Sequence, residues 1–266
     1  MMLHGVALGE GPPVVVLHGL FGQARNFGAV QRRIAAGRRV IALDLRNHGA
    51  SPHAAGMSYA AMAADVVETL GAMGALPCAV IGHSMGGKVA MAAALTRPAA
   101  VARLMVADIA PAPSPPRFAP IIAAMRGMAL REGMTRADAD AALAGAVPEA
   151  GMRGFLLQNM RFGGMPAWTV GLGEIEAGLG DILGWPEFGA VYEGPALFLG
   201  GARSDYIAPE HRPAIRALFP QARLAVLRDA GHWLHADNPE GFIGVVEAFL
   251  ATYGAADPVV GSTQER

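Results

Sequence analysis

Six short apolar runs punctuate the chain, at residues 14–17, 39–43, 78–81, 103–106, 195–199 and 223–227. Runs this short and this largely apolar, three of them opening on an arginine (Arg39, Arg103 and Arg223), read as strands of a sheet, those at 14–17 and 78–81 as buried ones. Between them, apolar residues recurring at helical spacing predict helices over 27–36, 59–73, 89–95, 209–219 and 239–253, with Ser58 placed to cap the second. Strand–helix alternation of this kind predicts a mostly parallel central sheet with helices on both faces, an α/β fold. Residues 1–12 read as a short extended piece, and the tail, 255–266, is expected to fray.

The alternation lapses once. After Asp108, Pro111, Pro113, Pro115 and Pro116 make a stiff linker, and no strand pattern occurs from 118 to 191. Helical patches at 121–131, 135–144, 151–162 and 172–182 are broken there by Gly and Pro. The expected organisation is a core in two pieces, 1–112 and 193–254, with a helical lid, 113–192, inserted between two sheet strands and the tail, 255–266, at the end. Phe155, Leu156, Met160, Trp168 and Trp185 are expected to pack this lid onto the body and partly to face the site beneath it.

Composition narrows the function classes. With 266 residues, 53% of them hydrophobic, the chain can bury one large core and carry an insertion. A formal net charge of −1 offers no broad basic surface, so no nucleic-acid partner is expected. No run of about 18 apolar residues occurs, so no membrane span is expected. The first residues lack a basic start followed by a long apolar segment, so no signal peptide is expected. The single cysteine, Cys78, falls inside a strand as a small core residue, which suits a reducing, cytoplasmic location. Nothing in the chain sets an oligomeric state.

The stretch that organises the rest is Cys78 to Arg97, in which Gly82-His83-Ser84-Met85-Gly86 joins a strand to a helix. In that context G-x-S-x-G reads as a nucleophile elbow, a turn so tight that the serine backbone is strained and its Oγ is lifted above the sheet. The N–H of Met85, at the helix start, can then face a developing oxyanion. A rival reading is a P-loop, because Gly82 and Gly87-Lys88 share its spacing, but Val89 stands where that motif needs a hydroxyl for Mg²⁺. Lys88 is therefore expected to be a solvated helix residue. A second glycine-containing loop, His18-Gly19-Leu20-Phe21-Gly22, follows the strand at 14–17, and the N–H of Leu20 is the candidate second oxyanion donor. His18 is expected to be structural, and Arg46 and His48 to brace loops beside the site.

A serine hydroxyl needs a base, and the base needs a group to orient it. His232, directly after the last strand, is the candidate base; His235 is too far along and is expected to brace, and His83 is expected to point away from Ser84. The acid has two candidates, Asp205 after the strand that follows the lid and Asp108 at the end of the strand that follows the elbow helix. Spacing favours Asp205.

The segments HGLFG at 18–22, DLRNHGASP at 44–52, GHSMGGK at 82–88, DIAP at 108–111 and AGHWLHADNP at 230–239 together resemble the α/β-hydrolase superfamily. Within it, they resemble the small acyl-ester hydrolases, the bacterial acyl-CoA esterases and their mitochondrial relatives. The resemblance runs in order over about residues 14–250 and is weakest in the lid. It implies an α/β-hydrolase fold and a Ser-Asp-His triad, and it favours Asp108 as the acid, with Asp205 as the alternative.

The expected activity is hydrolysis of short to medium acyl esters or thioesters through an acyl-enzyme on Ser84. Leu20 and Met85 would hold the oxyanion, each N–H worth about 3 kcal/mol, and no metal or organic cofactor is required. Turnover should rise with pH as the histidine base loses its proton. Dehalogenase and epoxide-hydrolase chemistry needs an Asp nucleophile, which Ser84 replaces. Carbon–carbon bond hydrolysis and perhydrolysis use the same kind of triad and stay open as alternatives, as does a non-catalytic ligand-binding module on this fold.

Overall fold

Val14 and Val16 pack on one face of a central sheet and Val15 and Leu17 on the other, and all four are almost completely buried. The same alternation holds along Leu104 to Ala107. It follows from the period of two along a strand: with a core on each side, every position must be apolar, and the strand reads as a continuous run.

A computed structural model describes residues 1–251. Its strands are β1 (Gly5–Leu8), β2 (Pro13–Leu17), β3 (Arg39–Leu43), β4 (Cys78–His83), β5 (Val101–Ala107), β6 (Met160–Arg161), β7 (Ala167–Trp168), β8 (Ala196–Gly201) and β9 (Ala222–Leu227). Seven of them form one sheet in the order β1-β3-β2-β4-β5-β8-β9. All neighbours are parallel except β1, which runs antiparallel to β3.

Helices α1 (Gly28–Ile34), α2 (Tyr59–Ala72) and α3 (Met85–Thr96) follow β2, β3 and β4. Ser58 caps α2 as expected, its side chain accepting from the Ala61 N–H. The insertion between β5 and β8 holds α4 (Ala119–Arg126), α5 (Arg136–Leu143), α6 (Ala150–Leu156), α7 (Leu172–Ala177) and α8 (Leu179–Leu183). The chain continues through α9 (Arg212–Leu218), α10 (Leu234–Asp237) and α11 (Pro239–Ala251). Side chains of α1 and α11 cover one face of the sheet; α2, α3 and α9 contribute to the core on the other.

The topology also locates the site. From β2 the chain steps outward to β3 and returns on the other side as β4, so the sheet order reverses between β2 and β4. Loops leaving the carboxyl ends of two such strands diverge and leave a crevice, the usual place for a ligand in an open α/β sheet. The loops after β2 and β4 carry Leu20 and Ser84, and those after β5, β8 and β9 carry Asp108, Asp205 and His232 at the same sheet edge.

Several expectations needed correcting. The first residues include the edge strand β1, not merely an extended piece. The insertion contains a two-stranded antiparallel ribbon, β6–β7, where no strand was expected. The helix expected over 151–162 ends at Leu156 and passes through a single 3₁₀ turn, Leu157–Asn159, into that ribbon. The helix expected over 172–182 breaks at Gly178, where any side chain would come within 2.5 Å of Met57 Cβ. The expected end of the last helix at residue 253 and the tail, 255–266, lie outside the described residues. Among the described residues no helix is long and apolar enough to cross a membrane.

Candidate active site

Ser84 sits between β4 and α3 with φ 52° and ψ −121°. A non-glycine residue at positive φ is costly and is held only by its surroundings. Here the N–H of Ser84 donates to the Ala107 carbonyl at 2.9 Å, while the Ser84 carbonyl receives the Lys88 N–H and starts α3. The flanking glycines let the helix come this close. A Cβ on Gly82 would lie 2.2 Å from the Gly86 carbonyl oxygen, and one on Gly86 would lie 2.4 Å from that of His18. Both obstacles are backbone, so no other residue fits without moving β2 or α3.

The Ser84 hydroxyl lies 3.0 Å from His232 Nε2, and His232 Nδ1 lies 2.8 Å from Asp108 Oδ2. A carboxylate can only accept, so Nδ1 carries the proton and Nε2 is left free to accept the serine O–H. Asp108 is completely buried and, like Ser84, has positive φ, 53°. Its Oδ1 accepts the Gly201 N–H at 2.9 Å, and Ser204 Oγ donates to its Oδ2. These donors are what a buried carboxylate requires.

Asp205 is not brought to His232. It lies at the rim, exposed, with Oδ2 2.7 Å from Arg117 Nη2 at the start of the insertion. That bond holds its carboxyl below the usual carboxylate range.

Two buried histidines shape the loop that carries Leu20. His18 Nδ1 donates to the Gly19 carbonyl at 2.8 Å, and its Nε2 accepts the Leu45 N–H. His48 Nδ1 donates to the Arg46 carbonyl, and its Nε2 accepts the Phe21 N–H at 3.1 Å. Burial drives both below the ordinary imidazole range, His48 to about 3, so each is a neutral brace with a defined tautomer. Phe21 has φ 61°, and Asn159 from the insertion donates to its carbonyl at 2.7 Å. Arg46 pairs with buried Asp65 and also bonds the Gly56 carbonyl. Inside this frame neither the Leu20 N–H nor the Met85 N–H has an acceptor among the described residues.

His83 points away from Ser84, and its Nε2 donates to the main-chain carbonyl of His232 at 2.7 Å. Burial keeps it well below the ordinary imidazole range, with the neighbouring histidines adding to the effect. His235 stacks on Phe27 at 4.5 Å and is lowered to about 4 by burial.

Lys88 departs most from expectation. It is 1% exposed, one helical turn beyond Ser84, and its ammonium reaches into the insertion. It donates to Ser114 Oγ at 3.0 Å and to the Gly184 carbonyl at 2.8 Å, with the Tyr59 ring 5.5 Å away. The apolar run around it requires α3 to be buried on all sides, which leaves a lysine there no route to water.

A cavity of about 320 Å³ opens beside Ser84 and His232. Leu20 and Trp233 line it from the sheet edge, and Ile121, Met152 and Phe155 from the insertion. A second recess of about 20 Å³ is lined by Ser84, Met85, Lys88 and Tyr59 among others. Of the insertion residues expected near the site, Phe155 reaches the cavity. Leu156 and Met160 are buried in the core, Trp168 bonds the Met125 carbonyl, and Trp185 packs on Tyr59 and Phe188. Ser204, His83 and Lys88 were not assigned these contacts from sequence; the only signal was their position in or next to the elbow and the loop after β8.

The model of the alpha/beta hydrolase family matches residues 14–245. The chain is 46% identical over 249 residues to the sn-1-specific diacylglycerol lipase ABHD11 of Xenopus laevis, covering 90% of this chain and 80% of that one. It is 36% identical over 239 residues to esterase YbfF of Escherichia coli K12, covering 90% and 92% respectively. Among solved structures a marine microorganism esterase superposes with a TM-score of 0.90 at 36% identity, covering 93% of this chain and 99% of that one. The chain belongs to the alpha/beta hydrolase family.

Proposed function

We propose that this chain is a serine ester hydrolase that works through an acyl-enzyme on Ser84. The observation that carries the proposal is the unbroken relay Ser84 Oγ–His232–Asp108, with contacts of 3.0 and 2.8 Å, at the edge of a largely apolar cavity. His232 Nε2 takes the serine proton as Oγ attacks the acyl carbonyl, and Asp108 holds the imidazolium that forms. The N–H groups of Leu20 and Met85 receive the oxyanion. His232 then gives its proton to the leaving alcohol or thiol. Water, activated by the same base, attacks the acyl-enzyme and releases the acid.

The substrate class is a small-molecule carboxylic ester, with thioesters open to the same chemistry. Relatives named as esterases and as a diacylglycerol lipase support an acyl ester. A cavity of about 320 Å³ is at the lower end of ligand cavities, roughly 300–1,000 Å³, and supports a short to medium acyl group. The insertion, which supplies Ile121, Met152 and Phe155 to that cavity, acts in this proposal as a lid. A cytoplasmic location stays part of the proposal, supported by the lone, buried thiol of Cys78.

The test is chromophore release from nitrophenyl esters of increasing chain length, with wild type and Ser84→Ala side by side. Turnover that peaks at short to medium chains and is lost in Ser84→Ala supports the proposal. Turnover that persists in Ser84→Ala refutes it.

A further inference from the structure

The loop after β8 does more than carry Asp205. At its base the Gly201 N–H and Ser204 hydroxyl donate to Asp108. The Ala202 and Arg203 N–H groups donate to the Leu227 and Ala230 carbonyls, each at 2.9 Å, which ties the loop to the segment that leads into His232. The Tyr206 N–H reaches Ser204 Oγ at 3.4 Å. These bonds deliver the Tyr206 ring onto the His232 ring, with centroids 4.0 Å apart and planes only 21° from parallel. From the other element of the site, the insertion, Arg117 lies 5.8 Å from the centre of the same tyrosine ring while it pairs with Asp205. Burial raises the Tyr206 phenol, so the ring is neutral at ordinary pH.

The geometry points to Tyr206 as a positioning residue for His232: its ring fixes the plane of the imidazole between Ser84 and Asp108 and stabilises the imidazolium formed on each proton transfer. This rests on His232 being the base of the proposed reaction. Two physical effects act together. A parallel ring at van der Waals distance resists turning of the imidazole about its Cβ–Cγ bond, and it does so at the moment the bond to Ser84 Oγ is given up to the substrate and only the contact to Asp108 is left. An aromatic face also attracts a cation within about 6 Å of its centre, so it favours the protonated base over the neutral one.

The other charged or titratable groups around His232 act differently: Asp108 accepts from Nδ1 and steadies the imidazolium from the ring edge, and the His83 ring, 4.9 Å away, is tilted by 44° and not stacked. His83 and His235 are held neutral by burial. The charge of Asp205 is paired with Arg117 at the exposed rim.

The experiment compares kcat, KM and the pH–rate profile for wild type, Tyr206→Phe and Tyr206→Leu, with Ser84→Ala as the reference for the underlying reaction. Tyr206→Leu should lower kcat by about 3- to 30-fold with a smaller change in KM. It should also move the acid limb of the profile to lower pH by about 0.5–1.5, because the imidazolium loses its partner. Tyr206→Phe, which keeps the ring, should restore both. A Tyr206→Leu enzyme with wild-type kcat and an unmoved limb overturns the inference, as does a Tyr206→Phe enzyme as impaired as Tyr206→Leu. Those results leave the acyl-enzyme reaction intact as long as Ser84→Ala is inactive; an active Ser84→Ala enzyme removes the reaction itself.

Discussion

His83 Nε2 donates to the main-chain carbonyl of His232 at 2.7 Å, so the residue before the nucleophile holds the backbone of the base. Removing that donor leaves a partly buried carbonyl unpaired, at a cost of about 1–3 kcal/mol. His83→Ala should therefore lower both the melting temperature and kcat. His83→Gln, which restores an N–H, should recover part of kcat. Because burial keeps His83 neutral, the change should not come from a lost charge, and raising the salt concentration should not restore activity. Steady-state kinetics of the two variants at low and high salt check this.

The buried ammonium of Lys88 gives a pH dependence of stability whose sign can be worked out. Burial lowers its pKa from about 10.5 to about 7. Between those values the unfolded chain binds more protons than the folded one, so folding is favoured as pH rises. The destabilising contribution is fully present below pH 7 and gone above 10.5. Lys88→Met removes this group and also the bonds to Ser114 and Gly184, so its absolute stability moves for two reasons. The slope moves for one. Wild type should gain stability relative to Lys88→Met as the pH is raised from 7 to 10, measured by denaturant midpoints of both proteins. Parallel curves contradict the burial of a titrating lysine.

Gly86 is required by the close approach of α3 to β2. Gly86→Ala would place a methyl group 2.4 Å from the His18 carbonyl oxygen and 2.5 Å from that of Leu17. Displacing the last carbonyl of β2 and the next one, of His18, should cost about 3 kcal/mol or more and should reduce turnover, because both lead into the Leu20 loop. Gly154→Ala, inside α6 with open space where its Cβ would stand, should be neutral or stabilising by up to about 1 kcal/mol. Urea unfolding of the pair distinguishes a packing requirement from a general intolerance of substitution.

The parallel strands β2, β3, β4, β5 and β8 were legible in the sequence because burial on both faces makes nearly every position apolar; β9, an edge strand with Val226 68% exposed, was legible only as a short, largely apolar run after a helix. β1 was not: it is a four-residue edge strand, exposed along most of its length and paired on one side only, so no hydrophobic pattern marks it. The β6–β7 ribbon has two residues per strand, too few for a period to show. In the site, Ser84 was visible through its glycines, and His232 through its place after the last strand. Spacing alone favours Asp205, but it carries no information on which side chain turns toward the histidine, because both aspartates follow a strand at the same sheet edge. Asp108 and Asp205 differ in what the tertiary fold does with them: one is turned inward by a positive φ and met by Gly201, Ser204 and His232, the other is left at the rim against Arg117. Lys88 reads as solvated because lysine normally finds water; burial of α3 on all sides, with the insertion packed over it, denies that here.

The central claim is that Asp108, not Asp205, completes the relay through His232 to Ser84. The most direct measurement is ester turnover by Asp108→Asn and Asp205→Asn under one set of conditions. Asp108→Asn should cost on the order of 10⁴ in kcat, the size of effect seen when the acid of a serine triad is neutralised. Asp205→Asn removes only an exposed ion pair and should cost about fivefold at most. A large loss at Asp205 with activity retained at Asp108, or activity retained in both, contradicts the assignment.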